Sequence, residues 1–115
     1  MPPKRNPLGL NPLQLKTLTL LQELAKLPDF SRPGSEGAVV ITALPQPHGD
    51  HFHLGEAVVA SRDATGLRNP GVWMALERKG LVESHPATGD ALTPLGRDYD
   101  TGLRDRVLLR PDHQA

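Results

Sequence analysis

Residues Ala64–Ser84 read ATGLRNPGVWMALERKGLVES, and the way this segment folds decides the architecture around it. Gly66 adopts positive φ at no steric cost and predicts a tight turn between two helices. Asn69 before Pro70 is a polar cap followed by the one residue whose missing N–H suits the first helical position, and Gly80 is a left-handed stop, so a short helix lies between them. With Val72 turned to the core, Ala75, Leu76 and the stem of Lys79 share its face, while Gly71, Trp73, Met74, Glu77 and Arg78 point outward. Beyond Gly80, LVESHP and DALT flank ATGD, a turn segment between two short strands.

Upstream, GEAVVASRDATG, residues 55–66, predicts another short helix ending near Ala64. Before it, AVVITAL, residues 38–44, is a β-branched run, and HFHL, residues 51–54, alternates; with the turn-rich PQPHGD between them they predict a β-hairpin. PDFSRPGSEG, residues 28–37, reads as loop. The first helix opens at Asn11–Pro12, with Gln14 placed for a capping box and Leu10 and Leu15 for a hydrophobic staple, and Pro28 ends it. Leu13, Leu20, Leu24 and Leu27 form its inner face, with Leu18 and Leu21 beside them and Lys16, Thr19, Glu23 and Lys26 opposite. Thr93–Pro94 is a third capped start, from which Leu95, Tyr99, Leu103 and Val107 make a stripe that predicts a final helix, weakened by Gly102.

At 115 residues the chain has the length of one domain. The expected division is a flexible arm over 1–10, a folded domain over 11–109 and a tail over 110–115. The absence of cysteine excludes disulfides, thiolate metal sites and cysteine nucleophiles. No apolar run reaches the roughly 20 residues of a membrane span, and no secretory signal pattern is present, so the expectation is a cytoplasmic protein without a membrane partner. Thirteen Lys and Arg balance thirteen Asp and Glu, which argues against a sequence-blind coater of nucleic acid and confines any basic footprint to a patch. Lys4, Arg5 and Lys16 stand without an acid in residues 1–16, whereas four acids face Arg32 alone in residues 29–56.

Two short helices joined by a turn and followed by a β-hairpin have the order of a winged helix-turn-helix. ATGLRNPGVWMALERKGLVES resembles the corresponding motif of small bacterial winged-helix regulators of the MarR and PadR kind, with a T-G-L turn, Ala-Leu before the last helical turn, and K-G-L-V leading into the wing. LTPLGRD, residues 92–98, resembles the L-T-x-x-G-R segment with which such domains leave the wing. The expected fold class is therefore α+β, a winged helix-turn-helix with an extra β-hairpin between helix 1 and helix 2. The resemblance implies a transcription regulator bound to double-stranded DNA, with the second helix of the pair in the major groove and the wing on backbone or minor groove.

The side chains that such a pose brings to DNA are Arg62, Arg68, Asn69, Gly71, Trp73, Met74, Arg78, Lys79, His85 and Thr88. Arg78 suits a bidentate contact to guanine, Arg68 and Asn69 the phosphates at the helix start, and His85 or Thr88 the wing. The alternative is a protein-interaction module, or a face for a second copy of the chain, in which Trp73 and Met74 join the extra hairpin in a docking surface; zero net charge and Glu77 favour it. Burial preferences nonetheless favour a place for the Trp73 ring in the core, packed against the extra hairpin. HGDHFH puts His51 and His53 on one side of a strand near His48 and Asp50, but no second cluster supplies further ligands, so a polar outer face is expected, with no metal and no cofactor. Neither a catalytic pair nor a phosphate-cradling glycine loop is present, and no enzymatic activity is expected.

Overall fold

The computed structural model describes residues 6–46, 49–85, 87 and 89–109. The protein is a mixed α+β domain with antiparallel sheets. Helix α1 (Pro12–Leu24) begins as its capping residues predict: the Asn11 side chain accepts from the Gln14 N–H at 2.8 Å, and the Gln14 side chain accepts from the Asn11 N–H at 3.0 Å. Its burial is wider than the leucine stripe implies. Thr17 and Thr19, the latter expected on the solvent side, are fully buried. Their hydroxyls donate to the carbonyls of Leu13 and Leu15 one turn back, each at 2.8 Å, and Thr19 Oγ1 also lies 2.6 Å from Thr101 Oγ1. A threonine satisfied in this way enters a core at little cost, which the hydrophobic period does not register.

The expected hairpin between residues 38 and 54 does not form. Two hairpins stand in its place. Strand β1 (Ser31–Pro33) pairs with β2 (Val39–Ile41), and β3 (His51–Leu54) pairs with β4 (Ala57–Ala60) across the two-residue connection Gly55–Glu56. Gly55 has φ +61°, a left-handed geometry that tight hairpin turns require. The segment 55–64 is therefore a strand followed by the 3₁₀ helix Ser61–Arg68, not a single short helix. Val58 and Val59 pair across the tight turn with His53 and Phe52, which overrides the helical reading. Residues 31–33, expected as loop, form an outer strand, and Pro33 is tolerated there because an edge strand needs no N–H on its free side.

Helix α2 (Pro70–Arg78) follows the 3₁₀ helix and stops at Gly80, φ +78°. Strands β5 (Val82–His85) and β6 (Gly89–Leu92) form the next hairpin, and β6 continues into a four-stranded antiparallel sheet of order β1-β2-β6-β5. The expected final helix is two: α3 (Pro94–Asp98) and α4 (Arg104–Val107). Gly102 at φ +72° breaks the chain between them, Asp100 and Thr101 accept from the N–H groups of Gly102 and Leu103, and Leu95 is 52% exposed, so the four-residue stripe is not one face. Past α4, Leu109 closes onto β4 through paired backbone bonds with Val58 at 2.7 and 3.0 Å. The core runs through Leu18, Leu21, Leu24, Phe52, Leu67, Leu76 and Leu92.

Two glycines hold the layers together by lacking a side chain. Gly66 is not the positive-φ turn expected of it; it lies inside the 3₁₀ helix with Thr17 of α1 directly against its Cα. Gly96 of α3 packs against the Leu81 carbonyl. Within the segment expected as an arm, Asn6–Leu10 are held by the buried Tyr99, whose hydroxyl donates to Asn6 Oδ1 at 2.7 Å and accepts from the Leu8 N–H at 3.0 Å. Residues 1–5 and the expected tail, 110–115, lie outside the described residues.

A methyl at Gly96 meets backbone, whereas one at Gly66 meets a side chain that can turn. Gly96→Ala should therefore lower stability by about 3 kcal/mol or more and Gly66→Ala by about 1–3 kcal/mol, the overpacking range. Urea midpoints at unchanged slope measure both, and equal midpoints for the two variants would contradict the packing at Leu81.

Candidate functional site

The face to be weighed is the outer side of α2. Asn69 accepts from the Gly71 N–H at 3.0 Å and caps the helix; Val72, Ala75 and Leu76 are buried against the core. Pro70, Gly71, Met74, Glu77, Arg78 and Lys79 are exposed, and Met74 is 58% exposed, with no place in the apolar cluster. The helix is short because both ends are set locally, by the Asn69–Pro70 start and by the Gly80 stop.

Trp73, expected on the outward face, is half-buried and packs against the core. Its Nε1 donates to the Leu67 carbonyl at 2.8 Å, and its ring borders a depression shared with Ile41, Leu44, Gln46, Arg68 and Asp90. A lone indole beside an apolar strand gains area by folding inward while its N–H finds a carbonyl, which removes Trp73 from the exposed surface that the outward reading gave it. Arg68 is likewise not loose: its Nη2 donates to the Pro45 carbonyl at 2.9 Å.

Among the described residues four lysines and arginines are paired with carboxylates and six are not, Arg32 and Arg106 among the six. Lys16 binds Asp63 at 2.9 Å, Arg104 binds Glu23 at 3.0 Å, and Lys26 and Arg97 lie 3.7 and 3.6 Å from Glu23 and Asp98. Among the described residues Arg62, Arg68, Arg78 and Lys79 have no carboxylate partner, and all four lie between Ser61 and Gly80. The acids of that span are Asp63, neutralised by Lys16, and Glu77, which carries no ion pair.

The hairpin beside this helix is more acidic. His85 Nε2 is 3.1 Å from Glu83 Oε1, and the Ser84 hydroxyl donates to Asp90 at 2.8 Å. Thr88, expected to serve the wing, lies outside the described residues, as does His48. His51 and His53 do share the outer face of β3, their rings edge to face at 5.6 Å, while Phe52 and Leu54 face the core. The Asp50 carboxyl sits 3.0 Å from His51 Nδ1, and that hydrogen bond, then the histidine charge, hold it below the usual carboxylate range. Among the described residues no group of three or more such side chains is arranged to hold a metal ion. The histidines and the α2 face thus form separate surfaces of different elements.

Two open depressions lie elsewhere, of about 450 and 540 Å³, and both include Arg104 and Asp105. Their charged walls are largely taken up by the Glu23 pairs already described. Sequence reasoning missed the Tyr99–Asn6 bond, for which 93 residues of separation leave no local signal. It also left Glu77 out of the site although its outward position was read from the helical period. Among the described residues, no helix is long and apolar enough to cross a membrane. Compared with known proteins, the chain matches no family model, no curated protein and no solved structure.

The Trp73–Leu67 bond joins α2 to the 3₁₀ helix. Trp73→Phe keeps a ring but deletes the donor, so it should destabilise the fold by about 1 kcal/mol, the net value of such a bond. A chemical denaturation curve superimposable on the unmodified protein would show that the indole N–H contributes nothing.

Proposed function

We propose that the chain is a winged-helix transcription regulator that binds double-stranded DNA through the outer face of α2, with β5–β6 as its wing. Support comes from the element order, a short helix joined through Asn69 to a second helix and then to a β-hairpin that pairs with the upstream strand β2. The observation that carries the reading is electrostatic: of the six cations without carboxylate partners among the described residues, four lie on the helix pair, in a chain whose formal charge is zero. Exposed cations along the helix pair can neutralise phosphates, and a neutral total charge limits binding elsewhere. The outer face of α2 is open to solvent, as a helix entering the major groove must be.

In this pose Arg78 meets a base edge, Arg62, Arg68 and Lys79 meet phosphates, and the backbone at Gly71 comes close to the groove wall because no side chain intervenes. Arg68 enters with its guanidinium already oriented by the Pro45 carbonyl. A second reading, a protein-interaction module or a self-association face, is favoured by one observation: Met74 exposes a large apolar side chain next to an unpaired Glu77.

Duplex binding followed by fluorescence anisotropy should weaken with salt, with a slope of log K against log salt between about −2 and −4 for two to four phosphate contacts. Binding that is absent at low ionic strength, or flat in salt, sinks the DNA reading and leaves the protein-interaction module. Arg78→Ala should cost roughly 1–3 kcal/mol of specific affinity while leaving the unfolding midpoint unchanged, since its side chain is exposed and unpaired. An unaltered footprint would take Arg78 out of the interface.

A further inference from the structure

The residues at the centre of the α2 face are not its cations. Val72, Ala75 and Leu76 define the buried side, and the line opposite them on a helix of 100° per residue passes through Pro70, Met74 and Glu77, with Gly71 and Arg78 on one flank and the half-buried Trp73 on the other. Pro70 and Gly71 offer no side chain of any reach. Met74 and Glu77 therefore project furthest, the first 58% exposed and outside the apolar cluster, the second exposed and, among the described residues, without an ion pair although Arg78 and Lys79 follow it.

Neither residue suits a phosphate. A carboxylate facing a polyanion is repelled, and a thioether gains nothing from a charged oxygen; in a major groove each needs a base edge, and the adenine N6 amine is flanked by the N7 acceptor, which disfavours a carboxylate. Among base edges the carboxylate accepts from the cytosine N4 amine, and an apolar side chain packs on the thymine 5-methyl group. Three residues apart, the two side chains are displaced by about 4.5 Å along the helix axis, close to the roughly 3.4 Å between successive bases of one strand. Resting on the DNA-binding reading above, we infer that α2 selects neighbouring pyrimidines on one strand, Met74 packing on a thymine methyl and Glu77 accepting from the amine of an adjacent cytosine. Glu77 then acts mainly by exclusion, since it penalises every site that leaves its carboxylate without a donor.

The test uses the full chain and a random-sequence duplex library, followed by anisotropy on the selected duplex. Replacing the selected thymine by uracil removes only the methyl group and should weaken binding about fourfold, the equivalent of about 0.8 kcal/mol of buried methylene. Met74→Ala should bind the two duplexes equally. Exchanging the neighbouring C·G pair should weaken the unmodified protein about tenfold or more, whereas Glu77→Ala should lose that preference and bind unselected duplex more tightly. Both side chains are exposed, and unchanged far-UV dichroism checks that the variants fold. Salt-dependent binding with no thymine or cytosine preference, or a Met74→Ala protein that still discriminates uracil, overturns this inference and leaves DNA binding standing. No duplex binding at low salt overturns both.

Discussion

The fold depends on a hydrogen-bonded knot around Thr93, where the end of α2, the β5–β6 hairpin and the start of α3 meet. The buried Thr93 hydroxyl donates to the Gly80 carbonyl at 2.7 Å, with the Leu81 carbonyl at 3.1 Å, and accepts from the Gly96 N–H at 3.0 Å. The Thr93 N–H returns to the Leu81 carbonyl at 3.1 Å, and the Leu81 N–H to Leu76 at 3.0 Å. One side chain thereby ties the α2–β5 connection at Gly80 and Leu81 to the start of α3 at Gly96. The same knot brings Gly96 against the Leu81 carbonyl, which admits no Cβ. The threonine and glycine of the LTPLGRD segment are thus accounted for by packing alone, with no contribution to recognition required.

The second constraint is the burial of α1. Gly66 admits Thr17, Thr101 meets Thr19, and Gln22 donates to the Gly96 and Tyr99 carbonyls at 2.9 and 2.7 Å. A helix enclosed on so many sides leaves little room for anything to be inserted around it. The residues between α1 and the 3₁₀ helix accordingly divide into two hairpins: β1–β2 extends the sheet of β6, and β3–β4 packs Phe52, Leu54 and Val59 into the core. Leu109 then covers the edge of β4, which would otherwise present open backbone groups.

Against this frame the charges separate into two sets. Lys16, Lys26, Arg97 and Arg104 are engaged by carboxylates within the domain, so they act locally. Among the described residues Arg62, Arg68, Arg78 and Lys79 are not, and Arg78 and Lys79 follow Met74 and Glu77 on the exposed side of α2 and its cap. The neighbouring Glu83 and Asp90 are engaged by His85 and Ser84, which keeps these two carboxylates within contacts of the hairpin itself. Under the proposed DNA-binding reading, the rim of this face would attract the polyanion and its middle would discriminate, the division of labour between backbone contacts and base contacts.

The sequence by itself determined the starts and stops: Asn11–Pro12, Asn69–Pro70 and Thr93–Pro94 open helices, and Gly80 closes one, because a cap or a left-handed glycine acts within four residues and needs no distant partner. The alternation of His51, Phe52, His53 and Leu54 likewise assigned inner and outer faces of β3 correctly. Only the tertiary structure decided which strand pairs with which, that Val58 and Val59 extend instead of coiling, that Trp73 turns inward to Leu67, and that the stripe from Leu95 to Val107 breaks at Gly102. A β-branched pair or a lone indole has several acceptable neighbours, near and far in the chain, and the packing of the whole core selects one.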